Sequence, residues 1–220
     1  IRGPGGLALA SGLIYQTHAS QRDMATHVAD GRLVPVGNQQ MYLHCTGAAT
    51  PGAPTVILEA GAGGGSYLWG AIHEAFGGTA RVCSYDRLGV GWSDAIAAPV
   101  PTEQVARNLH TLLGQADVPP PYLMVGHSVG GVHVRSFQRL YPDLVVGMVL
   151  VDSSHEQQGT VTPPSVRALQ NEGAAFLELC HYTAPFGLPR LIGLGHMTAG
   201  SLALPEAARE GMAATLHRNG

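Results

Sequence analysis

The chain has 220 residues, of which 45% are hydrophobic and 12% are charged, and its formal net charge at pH 7 is −3. This length and apolar content predict one compact domain, or one domain with a small lid. All 12 basic residues are arginine, and the slightly acidic balance excludes the basic face that binding to nucleic acid requires. The 11 histidines show no metal-ligand spacing such as H-E-x-x-H, so no metal site is predicted.

The N-terminal segment, residues 1–24, contains a short apolar run from Leu7 to Tyr15, followed by polar residues. The run is too short to span a bilayer. We interpret the segment as the remnant of a signal sequence or membrane anchor whose beginning is absent, with a simple packing arm as the alternative. The first interpretation favours an exported or membrane-anchored protein over a cytoplasmic one.

Residues 25–152 carry the pattern of an α/β core. Two short runs around the turn residues Gly37 and Asn38 predict an antiparallel hairpin at one edge of a sheet. Runs that are apolar throughout, separated by helical patterns, predict a mostly parallel sheet covered by helices on both faces. The predicted strands are 33–36, 40–45, 55–60, 81–85, a run ending at Gly126, and 145–151. The predicted helices are 67–76, 102–116 with Thr102 as its cap, and one from Ser128 to Pro142.

The C-terminal segment, residues 153–220, shows a different pattern. Prolines interrupt its helical stretches, and no further buried strand is evident. We therefore predict a partial helical lid after the sixth strand.

The most informative stretch is Tyr122–Tyr141, in which an apolar strand pattern ends and a helical pattern begins within three residues. Gly126 and Gly130 flank Ser128 at two positions on either side, giving G-x-S-x-G. A serine on such a sharp strand-to-helix turn exposes its hydroxyl only if its neighbours lack bulky side chains. The pattern predicts that Ser128 is a nucleophile and that the N–H of Val129 stabilises an oxyanion.

A second glycine-rich loop follows the strand that ends at Glu59, in the stretch V-I-L-E-A-G-A-G-G-G. In a methyltransferase or dinucleotide site, such glycines admit a cofactor, and an acid such as Asp86 binds its ribose. In an esterase-type site, the N–H groups of the loop face the nucleophile and supply the second oxyanion donor. The serine turn favours the second interpretation, with Ala62 as the donor and Gly63 as the next candidate.

Four segments in this order, V-I-L-E-A-G-A-G-G, S-Y-D-R-L-G-V-G-W-S-D, V-G-H-S-V-G-G and V-L-V-D-S-S-H-E, resemble the α/β-hydrolase fold family. The resemblance covers about Leu33–Glu156. It implies a serine nucleophile, a two-amide oxyanion hole, a helical cap, no cofactor and hydrolysis of an ester or related bond. The family usually has His-Gly before the oxyanion donor, whereas Ala60-Gly61 stands here.

A serine nucleophile also needs a histidine base and an acid that orients it, and the family order is Ser, then acid, then His. Asp152 is the candidate acid, with a turn or helix cap as the alternative. The candidate bases are His155, His181, His196 and His217. No closing strand precedes any of them, so we predict that the chain is truncated and that the general base lies outside it.

Other residues receive supporting roles. His127, Gly61 and Trp69 are predicted to line the substrate pocket, and the aromatic residues Tyr67 and Trp92 are further candidates. Asp86, Arg87 and Ser93 are predicted to brace a glycine turn through a buried Asp–Arg pair. Cys45, Cys83 and Cys180 lack a C-x-x-C spacing, so we expect buried free thiols, with a Cys45–Cys83 bridge as the alternative.

The sequence thus predicts a serine hydrolase that acts on carboxylic esters or related small acyl compounds through an acyl-enzyme on Ser128. It binds no nucleic acid, and any membrane association depends on the absent N-terminal segment. One alternative is a catalytically inactive protein of the same fold that binds a small apolar ligand. The other is a cofactor-binding transferase.

Overall fold

The computed structural model describes residues 4–27, 31–194, 197, 209–210 and 212–214. The chain divides into two compact units, one made of Ile1–Ala29 with Gln157–Gly220 and the other of Asp30–Glu156. The α-helices are α1 Pro4–His27, α2 Gly70–Phe76, α3 Thr102–Gln115, α4 Gly130–Leu140, α5 Gln158–Val161, α6 Pro164–Thr183 and α7 Leu188–Leu191.

The unit formed by Asp30–Glu156 is built on a six-stranded mixed sheet flanked by helices. The strands are β1 Arg32–Val36, β2 Gln39–Thr46, β3 Thr55–Glu59, β4 Val82–Tyr85, β5 Tyr122–His127 and β6 Val145–Val151. Their spatial order is β1-β2-β4-β3-β5-β6. The pairs β1–β2 and β2–β4 are antiparallel, and the pairs β4–β3, β3–β5 and β5–β6 are parallel. The predicted α/β class, with an edge hairpin and a largely parallel sheet, is confirmed.

The core of this unit lies where α3 and α4 pack against the sheet. In α3, Val105, Leu109, Leu112 and Leu113 recur at the spacing of one helix face, and all four are buried. The three leucines join buried residues of the strands and α4 in a single hydrophobic cluster. The prediction that Thr102 caps α3 is wrong, because Pro101 occupies the cap position and no side-chain cap bond forms.

Two strands of the sheet are also joined covalently. Cys45 of β2 and Cys83 of β4 are direct partners in the antiparallel register and form a disulfide. The expectation of free thiols is therefore wrong for this pair, because the register that brings them together cannot be read from their separation of 38 residues. Cys180 is a buried free thiol, as expected.

In the other unit, the regular elements among the described residues are all helices, joined by short turns. Within it, the Arg190 guanidinium lies 2.5 Å from a carboxylate oxygen of Asp23 and also donates to Gln16. The apolar run Leu7–Tyr15 forms part of α1. Among the described residues, no helix combines the length and hydropathy that crossing a membrane requires. The lid role of residues 153–220 stays a prediction.

Candidate active site

The candidate nucleophile lies at the corner between β5 and α4. β5 ends at His127 and α4 begins at Gly130, so two residues make the whole connection. Ser128 has a φ of 53°, in the left-handed region that non-glycine residues rarely occupy. Backbone strain of this kind is concentrated at functional sites, where the surrounding structure holds it in place.

The three glycines around Ser128 are required by close packing. A Cβ atom on Gly126 would lie 2.7 Å from the carbonyl oxygen of Gly130. A Cβ on Gly130 would lie 2.6 Å from the carbonyl oxygen of Glu59, and one on Gly131 would lie 1.8 Å from Oγ of Ser153. The corner therefore forms only because these positions carry no side chain.

Backbone hydrogen bonds fix the corner while leaving its reactive groups free. The Ser128 N–H donates to the carbonyl of Val151 at 3.1 Å, and the Ser128 carbonyl accepts from the N–H groups of Gly131 and Ser154. The side chain is half-buried. Within the described part of the chain, neither the Ser128 hydroxyl nor the Val129 N–H has a hydrogen-bond partner. Both groups are thus available to a substrate.

The loop after β3 packs against this corner. A Cβ on Gly61 would lie 3.1 Å from both the Ser128 Cβ and the His127 Nδ1. The loop then turns, with the Gly64 N–H donating to the Gly61 carbonyl and Gly63 at a φ of 65°. Ala62 and Gly63 are exposed, and their N–H groups have no acceptor among the described residues. The structure thus brings Gly61 and His127 beside Ser128. It leaves the N–H groups of the two candidate donors, Ala62 and Gly63, without a hydrogen-bond acceptor among the described residues.

Asp86 braces the surrounding loops from a fully buried position. Its carboxylate accepts from the backbone N–H of Ser66 at 2.6 Å and from that of Trp92 at 2.8 Å. Burial raises the pKa of this carboxyl group, and the two N–H donors oppose that rise. Ser93 donates to the Asp86 carbonyl. The predicted buried Asp86–Arg87 pair is wrong, because the Asp86 carboxylate binds backbone N–H groups and Arg87 pairs with another acid.

The partner of Arg87 is Glu59 at the end of β3. The buried Glu59 carboxylate binds the Arg87 guanidinium and the Tyr85 hydroxyl, and His133 Nδ1 lies 3.2 Å from it. Sequence reasoning missed this cluster, although an acid at the end of the apolar run V-I-L-E-A is itself a signal that a cation must lie nearby. The carboxylates of Glu59 and Asp86 both bind groups of the protein itself. This weakens the interpretation of the glycine-rich loop as a cofactor site.

The candidate acid and bases are less well defined. Asp152 follows β6, is exposed and has a φ of 43°. Val151 and Ser154 hydrogen-bond the Ser128 backbone, so Asp152 flanks Ser128. His155 lies 3.6 Å from Glu156. The His181 side chain, His196 and His217 lie outside the described residues. No described histidine hydrogen-bonds the Ser128 hydroxyl, and no described cluster of His, Cys, Asp and Glu could hold a metal ion.

The aromatic candidates occupy different environments. The Tyr67 hydroxyl donates to the Gly63 carbonyl at 3.2 Å, so Tyr67 lies against the glycine-rich loop. Trp92 is 3% exposed and belongs to the core rather than to an open pocket. Trp69 has a buried indole N–H without a partner among the described residues. Its role in a substrate pocket stays a prediction.

Comparisons with known proteins agree with this geometry. The family model of the alpha/beta hydrolase fold matches residues 54–176. An AB hydrolase superfamily protein of Gibberella zeae is 34% identical over 125 residues, which is 54% of this chain and 39% of that protein. The chain therefore spans well under half the length of that relative.

Solved structures give the same result at the level of the fold. An N-acyl homoserine lactone degrading enzyme matches 82% of this chain and 70% of its own, with a TM-score of 0.58 and 20% identity. An alpha/beta hydrolase from a Medee basin deep-sea metagenome library matches 86% of this chain and 70% of its own, with a TM-score of 0.60 and 16% identity. From the family model and the geometry together, the chain belongs to the α/β-hydrolase fold family.

Proposed function

We propose that this protein is a serine hydrolase that cleaves carboxylic esters or related acyl compounds through an acyl-enzyme on Ser128. The observation that carries the proposal is the left-handed backbone of Ser128 at the two-residue corner between β5 and α4. Backbone strain in a non-glycine residue at this corner is explained if the strained turn projects the Ser128 hydroxyl toward a substrate.

The proposed reaction uses groups already described. The Ser128 Oγ attacks the acyl carbon, and its proton passes to a general base. The N–H groups of Val129 and Ala62, with Gly63 as the alternative to Ala62, donate to the oxyanion that forms. Collapse of this intermediate expels the alcohol, which takes up the proton, and leaves the acyl-enzyme. Water then attacks the acyl carbon and releases the acid and free Ser128.

The acid and base of this scheme are assigned separately. Asp152 is the proposed acid, because it directly follows the neighbouring strand β6 beside Ser128 and its carboxylate has no ion pair or hydrogen bond among the described residues. The base is a histidine, since a serine hydroxyl is a weak nucleophile near pH 7 without one. His127, Gly61 and Trp69 are the proposed pocket residues.

A fluorophosphonate probe tests the proposal directly. In the full-length protein, we expect one covalent adduct on Ser128, located by mass spectrometry, and a burst of nitrophenol from p-nitrophenyl acetate. Ser128→Ala should abolish both signals. Ser136→Ala is the matched control, because Ser136 is buried in α4.

A folded wild-type protein that takes up no probe would contradict the proposal. That result would favour the alternative of an inactive ligand-binding protein. The absence of a described histidine on the Ser128 hydroxyl is the observation that keeps this alternative open. Binding of a small apolar ligand that Ser128→Ala leaves unchanged would then identify it.

A further inference from the structure

We infer that Arg87 is a positioning residue that sets the direction of the oxyanion donor in the loop after β3. This role rests on the proposed function, because it concerns the Ala62 N–H. Arg87 follows β4 and does not belong to the G-x-S-x-G corner. Its side chain is 11% exposed, so it is largely enclosed by protein.

The guanidinium binds two consecutive carbonyl groups. Nη1 of Arg87 donates to the Ala60 carbonyl at 2.7 Å, and Nη2 donates to the Gly61 carbonyl at 2.6 Å. These are charge-assisted hydrogen bonds in a forked arrangement, which only the planar guanidinium can make with two adjacent acceptors. The loop lies beyond the last paired residue of β3, so the sheet no longer fixes these carbonyls.

The planarity of the peptide turns this contact into an orientation. In a trans peptide, the C=O and the N–H of the same unit point in opposite directions. The Gly61 carbonyl and the Ala62 N–H belong to one unit. Because Arg87 holds that carbonyl toward itself, the Ala62 N–H must point away from Arg87. That N–H has no acceptor among the described residues.

The guanidinium is in turn held in place by Glu59. The Glu59 carboxylate is 1% exposed and binds Arg87 with one oxygen and the Tyr85 hydroxyl with the other. His133 of α4 also reaches the first oxygen, at 3.2 Å. Residues from β3, the end of β4 and α4 therefore fix one side chain. That side chain holds the Gly61 carbonyl together with the Gly64 N–H, which donates to the same carbonyl at 3.2 Å. An oxyanion donor contributes to catalysis only when it is oriented before the reaction.

An alternative is that Arg87 merely neutralises a buried carboxylate. In that case, only stability should depend on it, since removing one partner of a buried pair leaves an uncompensated charge. The two roles separate in the Arg87→Lys variant. Lysine keeps the positive charge beside Glu59, but its single ammonium cannot hold two adjacent carbonyls in the same plane.

The test compares Arg87→Lys and Arg87→Ala with the wild-type, full-length protein. We expect the rate of fluorophosphonate labelling of Ser128, and kcat for p-nitrophenyl acetate, to fall by about 10- to 100-fold in both variants. This is less than the roughly 100- to 1,000-fold fall caused by complete loss of one oxyanion donor, because the donor is misdirected rather than removed. KM should change by less than about threefold, because the donor acts in the transition state. Circular dichroism establishes that Arg87→Lys is folded.

Chemical rescue supplies a second measurement. A cavity of about 110 Å³ adjoins the Arg87 and His133 side chains, so the space left in Arg87→Ala is accessible to a small cation. We expect guanidinium at tens of millimolar to restore part of kcat in Arg87→Ala, whereas urea at the same concentration should not. Arg139→Ala is the control variant, because Arg139 forms an exposed ion pair with Glu103.

The labelling of wild type and of Arg87→Lys distinguishes failure of the positioning role of Arg87 from failure of the proposed hydrolase function. If wild type is labelled and folded Arg87→Lys is labelled at the same rate, Arg87 has no positioning role and the proposed function survives. A fall in kcat that guanidinium restores supports the role. If folded wild type is not labelled at all, the proposed function fails and the role of Arg87 fails with it.

Discussion

At the scale of single residues, the corner at Ser128 combines a backbone cost with tight packing. A left-handed conformation costs an L-residue about 1–2 kcal/mol, and the corner keeps it because the chain on both sides is fixed by hydrogen bonds to Val151 and Ser154. Gly126 shows how little room remains, since its nearest neighbours are backbone atoms of Gly130 and Gly131. Backbone cannot move aside as a flexible side chain can.

We therefore predict that Gly126→Ala destabilises the protein. The added methyl group would meet backbone atoms at 2.7 Å, and overpacking of this kind costs about 1–3 kcal/mol. Urea unfolding followed by fluorescence should show a lower midpoint with an unchanged m-value. Ester hydrolysis should fall as well, because the carbonyl that is displaced belongs to the first turn of α4.

Gly114→Ala is the matched control for this substitution. Gly114 lies within α3, and a Cβ added there meets nothing within 4 Å. Alanine in place of glycine within a helix stabilises by about 0.5–1 kcal/mol, so the two variants should move the midpoint in opposite directions. Equal midpoints would show that the corner has room for a side chain, and they would undermine the requirement for G-x-S-x-G.

The sequence was most informative where one residue type has a unique conformational task. Gly126, Ser128 and Gly130 predicted the corner because few backbones accept that pattern. Cys45 and Cys83 gave no such signal, because their pairing depends on the register between β2 and β4. Glu59 and Arg87 are 28 residues apart in sequence, and only the parallel pairing of β3 with β4 brings them together.

At the scale of elements, the hydrophobic periodicity of the sequence predicted the strands closely and one of the helices less well. The apolar runs predicted all six strands to within a residue or two at each end. The helix predicted over 67–76 is divided into a short 3₁₀ segment, Ser66–Trp69, and α2. Trp69, the last residue of the 3₁₀ segment, has a φ of −99°, which departs from helical geometry. The spacing of hydrophobic residues does not encode this local change of backbone angle.

The packing of α2 against the sheet also includes polar contacts of His73 that no sequence motif predicted. His73 of α2 connects two strands, with Nδ1 at 2.8 Å from the Thr46 hydroxyl of β2 and Nε2 at 2.8 Å from the Ser84 hydroxyl of β4. Burial, and then the neighbouring His44, lower the pKa of His73 from 6.5 to about 4. The folded protein thus holds this ring neutral.

From this shift, we predict acid destabilisation that depends on His73. Between pH 6.5 and about 4, His73 is protonated in the unfolded chain but neutral in the folded chain. The free energy of unfolding therefore has its full value above pH 6.5 and falls as the pH decreases toward 4. The loss amounts to about 3 kcal/mol. Urea unfolding at a series of pH values should show this slope in wild type and a flatter one in His73→Gln.

His155→Gln provides the control for this titration, because the His155 side chain is 63% exposed. It should retain the slope of wild type, whereas His73→Gln should lose stability at pH 7 and depend less on pH. The same slope in wild type and in His73→Gln would show that other groups account for the acid sensitivity.

At the scale of the whole molecule, the features that define the candidate site all lie in one unit. Among the described residues, its hydrophobic cluster runs from position 34 to position 145. The Cys45–Cys83 disulfide, the Ser128 corner and the Arg87–Glu59 pair lie between residues 30 and 156. From a change in pattern, the sequence predicted three segments, 1–24, 25–152 and 153–220, and their separate roles stay predictions. It could not predict that Ile1–Ala29 would join Gln157–Gly220 in the other unit, because such pairing depends on contacts between distant helices.

We expect residues 30–156 to fold without the remainder of the chain, because a unit with its own core and disulfide contains the interactions that cooperative unfolding requires. Trp69 and Trp92, the two tryptophans of the protein, both lie in this unit, so their fluorescence reports on it in the fragment and in the full chain alike. Urea should give one sigmoidal transition for the fragment, and a reductant should lower its midpoint by the equivalent of about 2–4 kcal/mol.

Cys45→Ser/Cys83→Ser is the control variant, and its unfolding midpoint should not respond to the reductant. Low protein concentration is needed, because β6 is an edge strand with exposed apolar side chains. A gradual fluorescence change without a transition would show that the core requires the other unit.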